Sequence, residues 1–562
     1  MSHVRGACQE VTEHRGPPLT SPAKGGLPWR EVTTEHFRVR TDLPEQCASA
    51  AATEFEQTYA SLRELAFPYD VEPSGRVTVF VFARDKDFRA LGAPMALGGF
   101  MTMGGGPWDE PLMAATSFTD IDRVRATFRH ELTHRFVRFY YAQAPTWLNE
   151  GLAEHWETLD IANGSATIGI PSYQRTFSPT RWQVSVPAEP GGTSDEDGMY
   201  RFVLHADALP GITALRRASA KTFYGLDQKV DRARATQRLR HYVGAATMVT
   251  WLRTGPYAKQ FALYLSRLSQ ARSDDDAWNT AFRGVDPGTL EAAFRQALDN
   301  RANPGLRTSY EYPEPAAHTQ RLMSDAEVHL AWIKVRRARA PQKQQGNNQA
   351  DVEAALATAP SDPEVWFARA AVSLSSRRIP ESVADIERAM EARPEETRFL
   401  EGLFFVRYME DLKRTQPPRW DRVEALAARL RRAPQATWLA LNAAAWLYAV
   451  REQPDAGLEM SKESIRREPG CGECYDTLAA LLYQKGDIEA ALGSQQRALS
   501  LAREGRISGE ELERLRLYES AVTGKIAAKR DGIAWERPPL RLLSVEPVVE
   551  SARGRARSEN PN

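Results

Sequence analysis

The sequence predicts an α+β protein, in which a unit with a mixed sheet is followed by an α-helical repeat region. Before residue 300, strand-like runs rich in β-branched and aromatic residues, such as RVTVFVFA at 76–83, are separated by segments with helical spacing. After residue 350, helix-length segments recur with small residues at regular positions. A chain of 562 residues is also too long for one ordinary core, which favours two or more domains.

We expect five segments along the chain. Residues 1–28 are rich in Gly, Pro, Ser and charge, which predicts a disordered lead-in. The α+β unit covers 29–300, and 301–349 is expected to be a helical connector that ends in the polar linker PQKQQGNNQA. The repeats cover 350–525, and 526–562 forms a C-terminal tail.

The elements of the first unit follow from local residue patterns. Alternation of apolar and polar residues predicts strands, and apolar residues three or four positions apart predict helices. The predicted elements are a strand at 35–42, a helix at 47–66, a strand at 76–83, a Gly-rich edge strand or loop at 98–106, a helix near 121–142, strands and loops covering a site at 160–200, and helices at 234–299.

Composition excludes several functional classes. The formal net charge is zero, so the bulk charge gives no reason to expect binding to nucleic acid. The sequence contains no run of 18 apolar residues, which a transmembrane segment would need. The N-terminal residues contain no apolar core of a signal peptide. We therefore expect a cytoplasmic protein by default, or an exported or lipid-anchored one if the true start lies upstream of the given sequence.

The four cysteines do not form the framework of a disulfide-rich fold. Cys8 and Cys47 are isolated in sequence, whereas Cys471 and Cys474 form a CxxC motif. That motif could bind a metal or change redox state. It could equally be a pair of incidental thiols or a local disulfide, since no second CxxC or nearby pair of histidines accompanies it.

The chemistry of the first unit is carried by an HExxH motif, His130, Glu131, Leu132, Thr133 and His134. On a helix, positions i and i+4 share a face, so both imidazoles can reach one metal ion. Glu131 lies next to the first ligand, where it can take a proton from a water that zinc activates for attack on a carbonyl.

A second helical segment supplies further candidate ligands. Pro145 interrupts the first helix, and Glu150 follows His134 by 16 positions. Glu154 lies four residues further on and therefore shares a face with Glu150. We expect Glu150 to be the third ligand of one zinc ion per chain. Glu154 is expected to support a ligand histidine from the outer sphere. His155 is expected to be a surface or packing residue.

The combination of HExxH with the segment WLNEGLA at 147–153 resembles the gluzincin zinc metallopeptidases. The spacer is shorter than in the thermolysin-like and aminopeptidase-N-like enzymes. In this respect the sequence is similar to small bacterial peptidase MA-like and DUF1570-like domains, which often precede tetratricopeptide repeats. The resemblance implies a zincin-like fold over about 30–300 and peptide-bond hydrolysis. It also implies that Asn149 and Glu154 support the ligands.

The same resemblance implies a donor that stabilises the oxyanion of the attacked carbonyl. Aminopeptidase-like enzymes supply a Tyr in a YxKGA helix. Here HYVGAA at 241–246 places Tyr242 in a similar position, although the Lys is missing and the Gly comes one position early. His241 is the alternative donor, and a simple packing role for Tyr242 stays open. The Gly-rich stretch 98–106 could pair with an extended peptide or be a plain loop. The exopeptidase GxMEN signature is absent, which favours an endopeptidase.

The second half of the chain resembles an array of about four tetratricopeptide repeats. The best unit covers 472–504, and the helix-closing residues Pro394, Pro434 and Pro469 lie 40 and 35 positions apart. Two functions remain open from the sequence. One is a bacterial zinc peptidase whose repeats recruit a protein substrate or partner. The other is a repeat scaffold for protein partners that carries a vestigial or regulatory peptidase-like domain.

Overall fold

A computed structural model describes most of the chain between residues 16 and 542. The described residues are 16–73, 75–92, 99–102, 106–108, 110–115, 121–169, 176–178, 181–187, 199–226, 232–270, 272–300, 306–314, 317–339, 345–412, 419–501, 509–540 and 542. Most of the predicted lead-in, parts of the segment 160–200, the core of the polar linker and the end of the predicted tail lie outside them.

The chain divides into two compact units, each described here by itself. The first unit comprises residues 1–101 and 111–324. The second comprises 325–562 together with the short segment 102–110. We call the helices of the second unit the helix array.

The first unit combines three small sheets with ten helices among its described residues. Its strands are β1 Arg30–Thr33, β2 Phe37–Thr41, β3 Val77–Val81, β4 Gly99–Thr102, β5 Leu112–Ala115, β6 Asp160–Ala162, β7 Ser165–Ile168, β8 Thr176–Ser178, β9 Arg181–Pro187, β10 Met199–His205, β11 Leu306–Ser309 and β12 Thr319–Leu322. Its helices are α1 Glu45–Leu65, α2 Asp85–Ala90, α3 Ile121–Tyr140, α4 Thr146–Glu157, α5 Ile212–Arg217, α6 Ala220–Phe223, α7 Arg232–Thr254, α8 Ala258–Ser269, α9 Asp274–Ala281 and α10 Pro287–Asn300.

The largest sheet has the strand order β12-β1-β2-β3-β5-β4. Strand β3 pairs in parallel with both β2 and β5, and β1 pairs antiparallel with β2 and β12. Every residue of β3 is buried, as expected for a central strand whose run of Val and Phe has no polar face. Strand β4 ends the order, so the described part of the Gly-rich stretch is an edge strand of this sheet.

The predicted helical connector at 301–349 requires correction at its start. Residues 306–309 form β11, which pairs with β7, and residues 319–322 form β12, which pairs with β1. The first unit therefore extends to residue 324 rather than ending near 300. Both strands are mostly exposed edge strands, so they lack the apolar alternation by which a buried strand is recognised in a sequence.

Helix α3 is held against the sheet unit by an aromatic cluster. The ring of Phe128 stacks on Phe55 of α1 with centroids 4.1 Å apart, and Phe136 packs against Tyr59 at 5.0 Å. These side chains and Leu132 are buried on one face of α3. The opposite face is left to the two histidines of the HExxH motif.

The helix array contains eleven α-helices among its described residues. They are α11 Asp325–Arg339, α12 Gln345–Thr358, α13 Pro363–Ser375, α14 Ile379–Ala392, α15 Thr397–Arg407, α16 Trp420–Leu430, α17 Trp438–Val450, α18 Pro454–Arg467, α19 Gly472–Lys485, α20 Ile488–Leu501 and α21 Gly509–Asp531. Contacts are most extensive between consecutive helices, notably α13 with α14, α17 with α18 and α19 with α20. The second unit is thus a succession of helix pairs, with a π-helical turn at Tyr408–Leu412 after α15.

The segment between β4 and β5 belongs to the second unit through one aromatic anchor. The indole of Trp108 stacks on Phe367 with centroids 5.3 Å apart, and its Nε1 donates to the Phe367 carbonyl at 3.2 Å. A Cβ at Gly402 would lie 3.2 Å from the indole, so a residue without a side chain suits this position. Glu110 pairs with Lys334 at 2.6 Å.

The cysteines are oxidised where the structure describes them. Cys471 and Cys474 form a disulfide that closes the start of α19, and both side chains are buried. The local disulfide is therefore the correct alternative for the CxxC motif. Cys47, which is isolated in the sequence, is disulfide-bonded as well. Cys8 lies outside the described residues.

Among the described residues, no helix is both long enough and apolar enough to cross a membrane.

Candidate metal centre

Helices α3 and α4 bring three potential ligand atoms together. The Nε2 atoms of His130 and His134 lie 3.1 Å apart. Oε2 of Glu150 lies 3.7 Å from the first and 3.6 Å from the second. These three residues are the ligand set predicted from the sequence, and the structure brings them into one group.

The close approach of α4 and α7 depends on a glycine. A Cβ at Gly151 would lie 2.8 Å from the carbonyl oxygen of Ala245 and 2.7 Å from Val249. Both neighbours belong to α7, and a backbone oxygen cannot move aside as a flexible side chain can. Gly151, next to Glu150, and Ala245 of the HYVGAA segment thus form a close helix contact, which fixes the position of α4 and of its ligand Glu150.

The outer nitrogens of both imidazoles are bound to oxygen acceptors. His134 Nδ1 lies 3.1 Å from Oδ1 of Asn149, and His130 Nδ1 lies 3.1 Å from Oε2 of Glu157. Because these oxygens accept, each Nδ1 carries the hydrogen and each Nε2 presents a lone pair. Asn149 therefore has the supporting position that the resemblance implies.

A second carboxylate, Glu157, joins the predicted Glu154 beside His130. Glu154 Oε1 lies 3.9 Å from His130 Nδ1, whereas the hydrogen bond to that nitrogen is made by Glu157. Glu150, Glu154 and Glu157 occupy positions i, i+4 and i+7, which share one helix face. Glu157 could therefore have been found from the same spacing that identified Glu154. Its own backbone carbonyl accepts from Nε of Arg129 at 3.0 Å.

The three inner atoms are spaced as ligand atoms around one metal ion would be. Oε2 of Glu150 is buried and has no hydrogen-bond partner among the described residues. When both rings are neutral, with their hydrogens on Nδ1, two imidazole lone pairs and a carboxylate oxygen converge. Ligand atoms on a tetrahedral zinc, with bonds of about 2.0–2.1 Å, lie about 3.3–3.4 Å apart. The separations of 3.1–3.7 Å match that geometry.

The charge around the site favours a cation. Burial by itself would lower the pKa of His130. The hydrogen bond to Glu157, together with the negative charges of Glu157, Glu154 and Glu150, outweighs burial and raises the pKa of His130 to about 10, so the same field favours a proton on His130 when no metal ion is bound. Three carboxylates within reach of one imidazole thus create a field that attracts a positive ion.

Glu131, the predicted general base, lies in α3 between the two histidines and is partly buried. Tyr242, the predicted donor to the oxyanion, lies in α7. Burial, followed by the charge of Glu150, raises its pKa well above the ordinary value. The alternative donor His241 faces the backbone, since its Nδ1 bonds the Gln237 carbonyl at 2.9 Å.

Sequence reasoning missed Tyr224, whose hydroxyl donates to Oε1 of Glu150 at 2.7 Å. Its ring lies 6.3 Å from that of Tyr242. Tyr224 and Glu150 are separated by 74 residues, and no local sequence pattern links them.

His155, next to Glu154, is a packing residue. It is buried, its Nδ1 lies 2.8 Å from Oγ1 of Thr250, and burial lowers its pKa well below the ordinary value. It belongs to none of the metal-binding groups found among the described residues.

No known protein family matches the chain, and no curated protein matches it. Among solved structures, the chain is similar to a thermophilic TPR protein from Thermus thermophilus, with 18% sequence identity and a TM-score of 0.24. The likeness covers 33% of this chain and 93% of that chain. A TM-score this low does not assign a fold, so the description of the second unit rests on its own helix pairs.

Proposed function

We propose that the protein is a zinc-dependent peptidase whose metal ligands are His130, His134 and Glu150. One observation carries the proposal. The inner nitrogens of both histidines and the unpartnered Oε2 of Glu150 converge, while Asn149 and Glu157 bind the outer nitrogens. Such a donor set, two nitrogens and one carboxylate oxygen, is typical of catalytic zinc sites that leave a fourth position open.

A zinc ion held there would polarise a carbonyl and make water a nucleophile near neutral pH. The other steps belong to the chain. Glu131 takes the proton of the attacking water and passes it to the leaving amine. The hydroxyl of Tyr242 donates to the carbonyl oxygen as negative charge develops on it.

Strand β4 is the proposed binding edge for an extended peptide. It ends the sheet order, and a Cβ at Gly99 would lie 3.1 Å from Thr127 of α3, so the strand runs close to the catalytic helix. Main-chain pairing at a sheet edge binds a peptide without using its terminus. Together with the missing exopeptidase signature, this favours an endopeptidase.

The second candidate is a scaffold for protein partners, with a metal site that does not catalyse. The supporting observation is the helix array, a run of helix pairs in which no metal-binding group of His, Cys, Asp or Glu occurs among the described residues. In the peptidase proposal the same array recruits a protein substrate or a partner. The two candidates differ in whether Glu131 is needed for any reaction.

The first test is the zinc content of the purified protein, by elemental mass spectrometry. We expect about one zinc per wild-type chain and much less in Glu150→Ala. Glu459→Ala, which changes a mostly exposed carboxylate of α18, is the matched control and should retain the metal. Folded wild-type protein without zinc, even after zinc is added back, would rule out the proposal.

The second test compares cleavage of a peptide library by the wild type and Glu131→Gln. General-base catalysis contributes about 10²–10⁴-fold, so the rate should fall by at least about 100-fold while zinc content is unchanged. Zinc-loaded wild type that cleaves nothing would favour the scaffold. Cleavage by Glu131→Gln at the wild-type rate would remove Glu131 from the mechanism.

A further inference from the structure

We propose that Tyr224 is a positioning residue that holds Glu150 as a one-oxygen ligand. Its hydroxyl occupies Oε1 of Glu150 and leaves Oε2 for the metal. The inference rests on the proposed zinc site and adds a residue to which neither the motif nor the resemblance assigns a role.

The two oxygens of Glu150 have different surroundings. Oε1 accepts from the Tyr224 hydroxyl at 2.7 Å. Within the part of the chain that the structure describes, Oε2 has no hydrogen-bond partner, and it faces both Nε2 atoms of the histidines, at 3.6 and 3.7 Å. A free carboxylate can rotate about its terminal bond and offer either oxygen or both. The hydrogen bond to Oε1 removes that freedom and selects the oxygen that points at the histidines.

Tyr224 can do this because the chain around it is firmly held. It directly follows the short helix α6, which is capped by Ser219, whose side chain accepts from Thr222 N at 3.1 Å. Gln237 of α7 donates to the Thr222 carbonyl at 2.7 Å, so the end of α6 is tied to α7. The adjacent Phe223 is fully buried. The backbone that carries Tyr224 is therefore held in place, and its hydroxyl reaches Glu150 from a fixed position.

The neighbouring tyrosines would have separate tasks. The hydroxyl of Tyr224 is committed to Glu150, whereas Tyr242 is placed by ring contacts with Phe223 at 5.4 Å and with Tyr224 at 6.3 Å. A donor already bound to a ligand carboxylate is a poor choice for an oxyanion. Tyr224 therefore acts through Glu150, and the substrate-facing role is left to Tyr242.

One-oxygen binding matters because a catalytic zinc site needs a vacant position. A glutamate that binds through both oxygens fills part of the space that substrate or water must enter. Outer-sphere partners of metal ligands typically change metal affinity by about 10- to 100-fold when they are removed. We expect an effect in that range when the Tyr224 hydroxyl is lost.

The test compares Tyr224→Phe with Tyr242→Phe, since each removes one hydroxyl and keeps the ring. Zinc affinity is measured by competition with a chromogenic chelator, and coordination is followed by the visible absorption of the cobalt(II)-substituted protein. We expect Tyr224→Phe to bind zinc about 10- to 100-fold more weakly and to change the cobalt spectrum. Tyr242→Phe should leave both measurements unchanged and reduce only peptide cleavage.

If Tyr224→Phe binds zinc as tightly as the wild type and gives the same cobalt spectrum, the positioning role is overturned while the zinc site stands. If the wild type itself binds neither metal, the zinc site and the positioning role fail together. Gln237→Ala, which keeps the hydroxyl but releases the end of α6, is the second variant in case Tyr224→Phe does not fold. It should weaken zinc binding by a smaller factor, and unchanged binding would again count against the proposal.

Discussion

Buried carboxylates have different surroundings in the two units. In the helix array, Asp476 accepts from Nε and Nη2 of Arg514 at 2.9 and 2.8 Å and from Gln495 at 2.8 Å. In the first unit, Glu150 is equally buried, yet one of its oxygens has no hydrogen-bond partner and its nearest neighbours include two imidazole lone pairs.

This difference separates a structural carboxylate from a candidate ligand. A buried charge that is paired and fully hydrogen-bonded completes its own surroundings. A buried carboxylate beside two imidazoles calls for a positive charge, either a proton on His130 or a metal ion bound by all three side chains. The identity of the neighbours, more than the burial itself, therefore points to a metal site at Glu150 and to a packing role at Asp476.

The largest expected effect comes from breaking the pair in the helix array. Arg514→Met leaves Asp476 buried with Gln495 as its remaining partner among the described residues, so we expect the free energy of unfolding to fall by about 3–5 kcal/mol. Urea unfolding measures it. The matched control is the double variant Asp476→Leu/Arg514→Met, which should recover most of the loss because no charge is left unpaired. A double variant as unstable as the single one would contradict the pairing argument.

Glu401 is an exception within the helix array and gives a pH-dependent prediction. Its Oε1 accepts from the Thr437 N–H, its Oε2 has no hydrogen-bond partner among the described residues, and burial raises its pKa from 4.5 to about 7. The native state thus keeps its proton between pH 4.5 and 7 while the unfolded state loses it. Stability should fall across that window, by about 3 kcal/mol at about 1.4 kcal/mol per pKa unit.

Glu401→Gln should remove this penalty, since an amide can accept from Thr437 without a charge. We expect the variant to match the wild type near pH 4.5 and to be more stable by about 3 kcal/mol at pH 8. Thermal unfolding at both pH values measures the difference. A difference that does not change with pH would show that Glu401 titrates normally.

Gly151→Ala tests how closely α4 and α7 must approach in the first unit. The added methyl group would meet the Ala245 carbonyl oxygen at 2.8 Å, so we expect a loss of about 1–3 kcal/mol. Because Glu150 is the neighbouring residue, zinc affinity should fall as well. Calorimetry and zinc titration measure the two effects. Unchanged stability would show that the helices can separate without cost.

The smallest effect is the matching change in the helix array, Gly493→Ala. No atom lies within 4 Å of a Cβ at this position in α20, and the residue is exposed. An alanine inside a helix is favoured over glycine by about 0.5–1 kcal/mol, so stability should rise by that amount. A loss of stability would mean that this helix face is covered in solution.

The sequence predicts those residues of the candidate site whose relative positions follow from local spacing along a helix. The i and i+4 spacing of His130 and His134 and the position of Glu150 on the next helix identified all three proposed ligands. Strands with apolar alternation or dense β-branching, such as β2 and β3, were also predicted within a few residues. In these cases the periodicity itself reflects which face is buried.

Features that depend on distant contacts could not be predicted. Tyr224 reaches Glu150 across 74 residues, and strands β11 and β12 return to the first unit after a long helical region. Neither leaves a periodic signal, because such contacts are set by how elements pack and not by local spacing. Glu157 differs, since its helix-face position was readable in the sequence.

The path of the chain between β4 and β5 has a consequence for dissection of the protein. Residues 102–110 belong to the second unit, although the residues on either side belong to the first. The polypeptide therefore passes from one unit to the other three times. Cutting it once, after Ser324, would not yield two complete folding units, because Trp108 would go with one piece and Phe367 with the other. Each half expressed alone would lack one ring of the stacked pair Trp108–Phe367.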